Sequence, residues 1–153
     1  MTTFTAAAAF KNAAHAAALT LWPSGSPVQV AFGHPGSVQG TEIVAFMEIS
    51  SEQEPATLGP RRQRREVLQL TVVFSVFRGG GGEQEKIASD RAYELLGALE
   101  QQFRVTDTTV GGTVLFCFLT SHQSEGASDE QTISAGRQIW IDAVFTAEAR
   151  ITS

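Results

Sequence analysis

Four arginines, Arg61, Arg62, Arg64 and Arg65, crowd around Gln63 in a chain of 153 residues. A guanidinium fork pairs with a carboxylate or a phosphate at two points. Such a run therefore suits contact with an acidic neighbouring subunit or with a nucleic-acid backbone. A charged loop end beside a hydrophobic strand also discourages aggregation, and the spacing leaves both readings open. Without these four, 11 basic residues against 16 acidic become 7 against 16, and the net charge of −5 becomes −9. An acidic body carrying one basic knot is not the footprint of a general nucleic-acid binder.

The other chemistry-bearing residues do not converge. His15, His34 and His122 have no second ligand at a metal-binding spacing, and no Cys-x-x-Cys or His-Glu-x-x-His run is present. Gly79 to Gly82 ahead of a helical stretch could cradle an anion, but the Gly-Lys-Ser/Thr ending is missing. Glu83 and Glu85 follow instead; they suit the positive end of a helix dipole and would repel phosphate. Cys117, the lone cysteine, sits between Phe116 and Phe118 in an apolar run, which predicts a buried thiol rather than a nucleophile. No Gly-x-Ser-x-Gly elbow occurs. The expectation is no catalytic residue, no metal and no cofactor, hence a protein that is not an enzyme.

Composition sets the frame for these residues. At 42% hydrophobic and 18% charged, the chain is globular rather than disordered, and its length fits one domain over 1–153. One cysteine excludes an internal disulfide and permits folding in the cytosol. The alanine-rich N-terminal stretch lacks a basic region ahead of its apolar run, and Lys11, Asn12 and His15 interrupt it. It reads as an ordinary helix, not a signal peptide or a membrane span.

The elements follow from periodicity. Residues 3 to 22 are predicted helical, capped by Thr3 or Thr5, with Phe10, Ala14, Ala17 and Leu21 on one stripe. Val28 to Phe32 is a short strand, and Gly33 to Gly36 a turn. In a strand at Glu42 to Ile49, Ile43, Ala45, Met47 and Ile49 share a face. A long polar loop is predicted over 50–65. Glu66 to Arg78 alternates most clearly, with Leu68, Leu70, Val72, Phe74 and Val76 on one face and a mixed set on the other. A second helix spans about Glu83 to Phe103, burying Ala88, Ala92, Leu95, Leu96, Leu99 and Phe103. Gly111-Gly112 marks a tight turn between short strands, and Thr113 to Thr120 reads as a central strand. A second loop covers 122–136, and Gln138 to Ala149 closes the chain with Ile139, Ile141, Ala143 and Phe145 inward. Two helices among runs of strands predict an α+β fold, an antiparallel or mixed sheet of about four to five strands with two α-helices packed on one face.

This order resembles the tail terminator (minor tail) proteins of long-tailed, non-contractile bacteriophages. The match runs from the helix at Phe4 to Leu21, through the turn at Gly33 to Gly36, to the strands at Glu42 to Ile49 and Glu66 to Phe77. It continues in the helix Ala88 to Leu99 and the closing strand Ile139 to Ala149. The resemblance covers nearly the whole chain and contains no catalytic motif. It implies a structural protein of the virion tail, assembled in the host cytoplasm, forming a homohexameric ring at the head-proximal end of the tail tube. The implied partners are the major tail tube protein and a head-completion or connector protein. Genomic DNA would pass through the lumen without sequence-specific binding, and no membrane is involved. On that reading Arg61, Arg62, Arg64 and Arg65 are expected to contact protein or DNA in the particle. Another head-tail connector ring is the nearest alternative, and a small cytosolic ligand-binding domain is one of a different class.

Overall fold

A computed structural model describes residues 4–36, 41–55, 63–128 and 130–152. The helix α1 (Ala7–Leu21) leads into strands β1 (Val28–Phe32), β2 (Glu42–Pro55) and β3 (Arg64–Gly79). Helix α2 (Glu83–Gln101) runs on into a π-helical turn (Gln102–Thr106). Strand β4 (Phe116–Gly126), the short helix α3 (Glu130–Ala135) and strand β5 (Gly136–Ile151) complete the order. The sheet order is β1-β2-β3-β5-β4, with β1 parallel to β2 and every other pair antiparallel. This is the expected α+β mixed sheet with α1 and α2 on one face.

Strict alternation in β3 and β5 decides which face that is. Leu68, Leu70, Val72, Phe74 and Val76 are fully buried, and across from them Ile139, Ile141, Ala143, Phe145 and Ala147 also point into the core. The α2 stripe Ala88, Ala92, Leu95, Leu96 and Leu99 packs on this surface and continues into Phe103, whose ring meets Phe145 edge-on at 5.4 Å between centroids. From α1 come Phe10, Ala14 and Ala18, with Ala17 and Leu21 packed at the margin. Alanine on that stripe lets the helix lie close to the sheet, while Phe10 fills the remaining depth.

Two buried carboxylates clasp the helices to the sheet. Glu66 is fully buried at the start of β3. Its Oε1 accepts the Ala6 N–H at 2.7 Å, and its Oε2 accepts the Gln53 amide at 2.9 Å and the hydroxyls of Thr5 and Ser51. A residue sixty positions away thus does the capping that the sequence assigned to Thr3 or Thr5. Ala6 is the cap residue, Thr5 Oγ1 accepts only the Ala7 N–H at 3.1 Å, and Thr3 lies outside the described residues. At the other end of the core face, Glu42 accepts from Arg91 of α2 at 3.0 Å and from Arg78 of β3.

Several boundaries differ from expectation. Strand β2 continues through Pro55 and β3 begins at Arg64, so both ends of the loop predicted over 50–65 are strand, and its middle lies outside the described residues. The regular part of α2 stops at Gln101 rather than Phe103. A bulge in β2 between Phe46 and Ile49 reverses the faces. Val44 and Phe46 therefore enter the core with Ile49, while Ile43, Ala45 and Met47 point the other way. Strand β4 is an edge, not a central strand: its apolar run is short, and its length comes from polar residues running to Gly126. The loop predicted over 122–136 is replaced by that extension and by α3. No strand precedes Gly111-Gly112. Val110, Gly111 and Gly112, all at positive φ, instead turn the chain from the π-helical turn toward β4, where Asp107 accepts the Gly111 N–H at 2.8 Å.

Two predictions follow from this packing. Leu99→Ala should lower unfolding stability in urea by about 2–5 kcal/mol, as for other buried leucines, whereas Phe118→Ala at an exposed site should leave the midpoint nearly unchanged. The second concerns pH. Burial pushes the Glu66 carboxyl up, but the Ala6 N–H, the Ser51 and Thr5 hydroxyls and the Gln53 amide together outweigh it and hold it below the usual carboxylate range. A folded pKa below the unfolded one stabilises the fold at neutral pH, and that contribution is lost as pH falls through the carboxylate range. Urea midpoints measured between pH 7 and pH 3 should therefore fall less steeply for Glu66→Gln than for the parent. Glu42, held low by Arg91 and Arg78 against its own burial, keeps the variant's profile from being flat.

Candidate functional site

The second face of the sheet lies opposite the one that α1 and α2 cover. None of the described helices covers it, because the residues that alternate with the core set are mixed. In β3 these are Val67, Gln69, Thr71, Val73 and Ser75; in β5 they are Gln138, Trp140, Asp142, Val144 and Thr146. Most are half-buried by their neighbours on the sheet alone. Ile43, Ala45 and Met47, turned outward by the β2 bulge, join Val73 and Trp140 around a shallow apolar hollow of about 200 Å³, with His34 and Pro35 at its rim. Gln138 spans β5 and β3 here by donating to Ser75 Oγ at 3.1 Å. Toward β4, Phe116 and Phe118 tilt against each other at 5.4 Å between centroids, and Phe118 is 47% exposed.

Charge gathers at one end of this face. Arg65 Nη1 lies 2.7 Å from Glu54 on β2, and its Nε lies 2.9 Å from Glu148 on β5. The hydrogen bond from Arg65 holds the Glu148 carboxyl below the usual range, and the two acids push the guanidinium up. The face thus carries an apolar hollow toward one end, polar residues such as Gln69, Thr71 and Asp142 in its middle, and this ion-pair cluster at the other end.

The structure divides the predicted arginine cluster. Arg65 already has both carboxylate partners within its own chain. Arg64 alternates to the helix face, opposite Pro55 and Ile151, and its Nε is buried without a hydrogen-bond partner. Arg61 and Arg62 lie outside the described residues. Sequence reasoning missed the Arg65–Glu54–Glu148 triad and the Glu42 clasp, because each joins residues distant in the chain.

Residues weighed for chemistry fall where a structural role accounts for them. Cys117 is buried in the core, and desolvation pushes its thiol up to about 12. His15 stacks edge-on against Phe32 and Phe46, and His122 meets Tyr93. Nδ1 of His34 accepts the Gly36 N–H at 2.9 Å. Among the described residues no three His, Cys, Asp or Glu side chains are placed to share a metal ion, and no helix is long and apolar enough to cross a membrane. An open cleft of about 470 Å³ between the first turns of α2 and the end of β4 is lined by Glu85, Lys86, Ser89, Ser124 and Glu125. Lys86 there is engaged by Asp90 at 2.7 Å.

No protein-family model matches the chain, and no curated protein does. Among solved structures, a chain in the virion of a native gene transfer agent particle aligns with it. The alignment covers 81% of this chain and 78% of that one, at 12% identity and a TM-score of 0.38. At that identity and score the likeness carries no functional argument.

Proposed function

We propose that this chain is a structural subunit of a phage-like virion, and specifically the ring protein that ends a long, non-contractile tail tube and receives the head-completion protein. The observation that carries the reading is the uncovered sheet face, with its apolar hollow toward one end and its ion pairs at the other. A soluble subunit that leaves such a surface open has something to cover it in the assembled state. The order of elements along the chain, which resembles tail terminators, supplies the identity of the assembly. In this role the copies form a closed ring, and the acidic body lets DNA slide through the lumen without being held.

A ligand-binding domain would need a deeper, more polar site. Pockets for small molecules commonly enclose about 300–1,000 Å³ with convergent polar groups. The apolar hollow is smaller than that, and the larger cleft is open and bordered by carboxylates. A different connector ring of the same neck shares every surface property described, and differs from a terminator only in its neighbours.

Two experiments test the proposal. A reconstruction of the particle should place several copies of this chain in one ring at the head-proximal end of the tail; a single copy, or a position outside the neck, overturns it. Changing Arg61, Arg62, Arg64 and Arg65 together to alanine tests the cluster as an assembly element. The purified variant should still fold, with a lower urea midpoint, since Arg65 gives up its pairs with Glu54 and Glu148 and the partly buried Arg64 side chain is truncated. In infected cells abnormal tails or unattached heads should accumulate, and infectious particles at normal yield would remove the cluster from any assembly role.

A further inference from the structure

Both outer edges of the sheet carry a short flat stretch that is free of charge and proline. Natural edge strands are protected by charge, proline or a covering element, because their open backbone groups recruit other strands. Val28–Phe32 in β1 contains neither charge nor proline, and nor does Phe116 to Thr120, the first half of β4. A bulge between Leu119 and Ser121 then ends the flat stretch of β4. Among the described residues no strand pairs with either outer edge.

The backbone of β1 fixes which groups are free. Gly33 donates its N–H to Phe46 O on β2 at 2.7 Å. Alternation then turns the N–H and C=O of Val30 and Phe32 away from β2, while those of Val28 are taken up by Ser26. The strand directions fix how a partner could meet them. Since β1 runs with β2, and each of the pairs β2–β3, β3–β5 and β5–β4 is antiparallel, β1 and β4 run opposite ways. A second copy in the same orientation, set beside the first so that the sheet continues, brings its β1 antiparallel to β4.

Side chains agree with that placement. Val28 and Val30 of β1 and Cys117 of β4 belong to the helix face. Gln29 and Ala31, like Phe116 and Phe118, belong to the opposite one. A continuous sheet must keep these faces together, which sets Ala31 opposite Phe116 or Phe118 and places small beside large. It also sets Phe32, 53% exposed under Lys11, near Cys117 or Leu119.

We propose that copies of this chain join head to tail by antiparallel pairing of β1 in one copy with Phe116 to Thr120 of β4 in the next. The pairing uses both open edges of every copy, as a closed ring requires and a twofold β4–β4 contact does not. It rests on the ring reading above and supplies its interface.

The test is disulfide trapping in the full chain carrying Cys117→Ser, at high protein concentration and in the presence of tail tubes. Ala31→Cys combined with Phe116→Cys or with Phe118→Cys should give a ladder of linked oligomers beyond the dimer on oxidation, and each single variant a dimer at most. Adding Phe32→Pro removes an outward-facing N–H without touching the β1–β2 bonds, and should reduce the ladder about tenfold. Phe32→Ala, which keeps the N–H, should retain it. A ring seen by sedimentation with no ladder from either pair overturns the edge pairing and leaves the ring reading standing. So does Phe118→Cys alone cross-linking as well as the double variant, or a ladder unaffected by Phe32→Pro. Monomer at every concentration with no ladder also overturns the pairing; the ring reading itself is then judged by the particle reconstruction.

Discussion

Sixteen residues of β3 lie against sixteen of β5 without a break in register, and the rest of the fold depends on that unbroken pairing. Because side chains in a strand alternate, a slip or bulge anywhere in the pair would exchange its two faces beyond that point. With none, one face stays apolar from end to end and receives both long helices, and the other stays mixed and receives neither. Glu66 and Glu42 sit near opposite ends of the apolar face and each fastens one helix there. Buried charge is costly to desolvate and contributes less to net stability than its contacts suggest. What these two carboxylates add is position: α1 and α2 each meet a fixed polar partner, so neither can slide along a surface that is otherwise uniformly greasy.

The outer strands tolerate what the central pair does not. Bulges in β2 and β4 lie away from the β3–β5 pair, and each changes what the molecule shows to its surroundings. The one in β2 turns Ile43, Ala45 and Met47 outward, giving the open face its apolar hollow. The one in β4 separates an apolar half from a polar half. The properties that suit assembly therefore come from local irregularities at the periphery, built on a centre whose regularity makes them affordable.

Much of this was legible along the chain, for physical reasons that can be named. The core faces of β3, β5 and α2 followed from periodicity, since each element buries a single uninterrupted set of side chains. Ile49 was assigned beside Ile43 because a bulge leaves no mark in an apolar run. Strand β4 was expected at the centre because Thr113 to Thr120 is apolar, yet one face of its first half, at Phe118, is exposed. The polarity of Ser50 to Pro55 and of His122 to Gly126 predicts loop, although paired backbones hold them as strand whatever their polarity. The Glu66 and Glu42 clasps and the Arg65 triad depend on contacts between distant residues, which no spacing rule encodes. For the arginine run, the sequence indicated the charge but not that Arg65 spends its own within the chain.

The burial of Cys117 makes the molecule report on itself. Its sulfur lies on the core side of β4, the chain has no other cysteine, and desolvation keeps the thiol protonated at neutral pH. A thiol reagent reaches it only when β4 lifts from β5 or the whole fold opens. Where reclosing outruns the chemistry, the modification rate is the equilibrium fraction of opened molecules multiplied by the rate of an exposed thiol, so dividing by the latter gives the former. If copies pair through this edge as proposed, the ratio of that rate in the free and in the assembled protein gives the free energy with which assembly locks the strand in place.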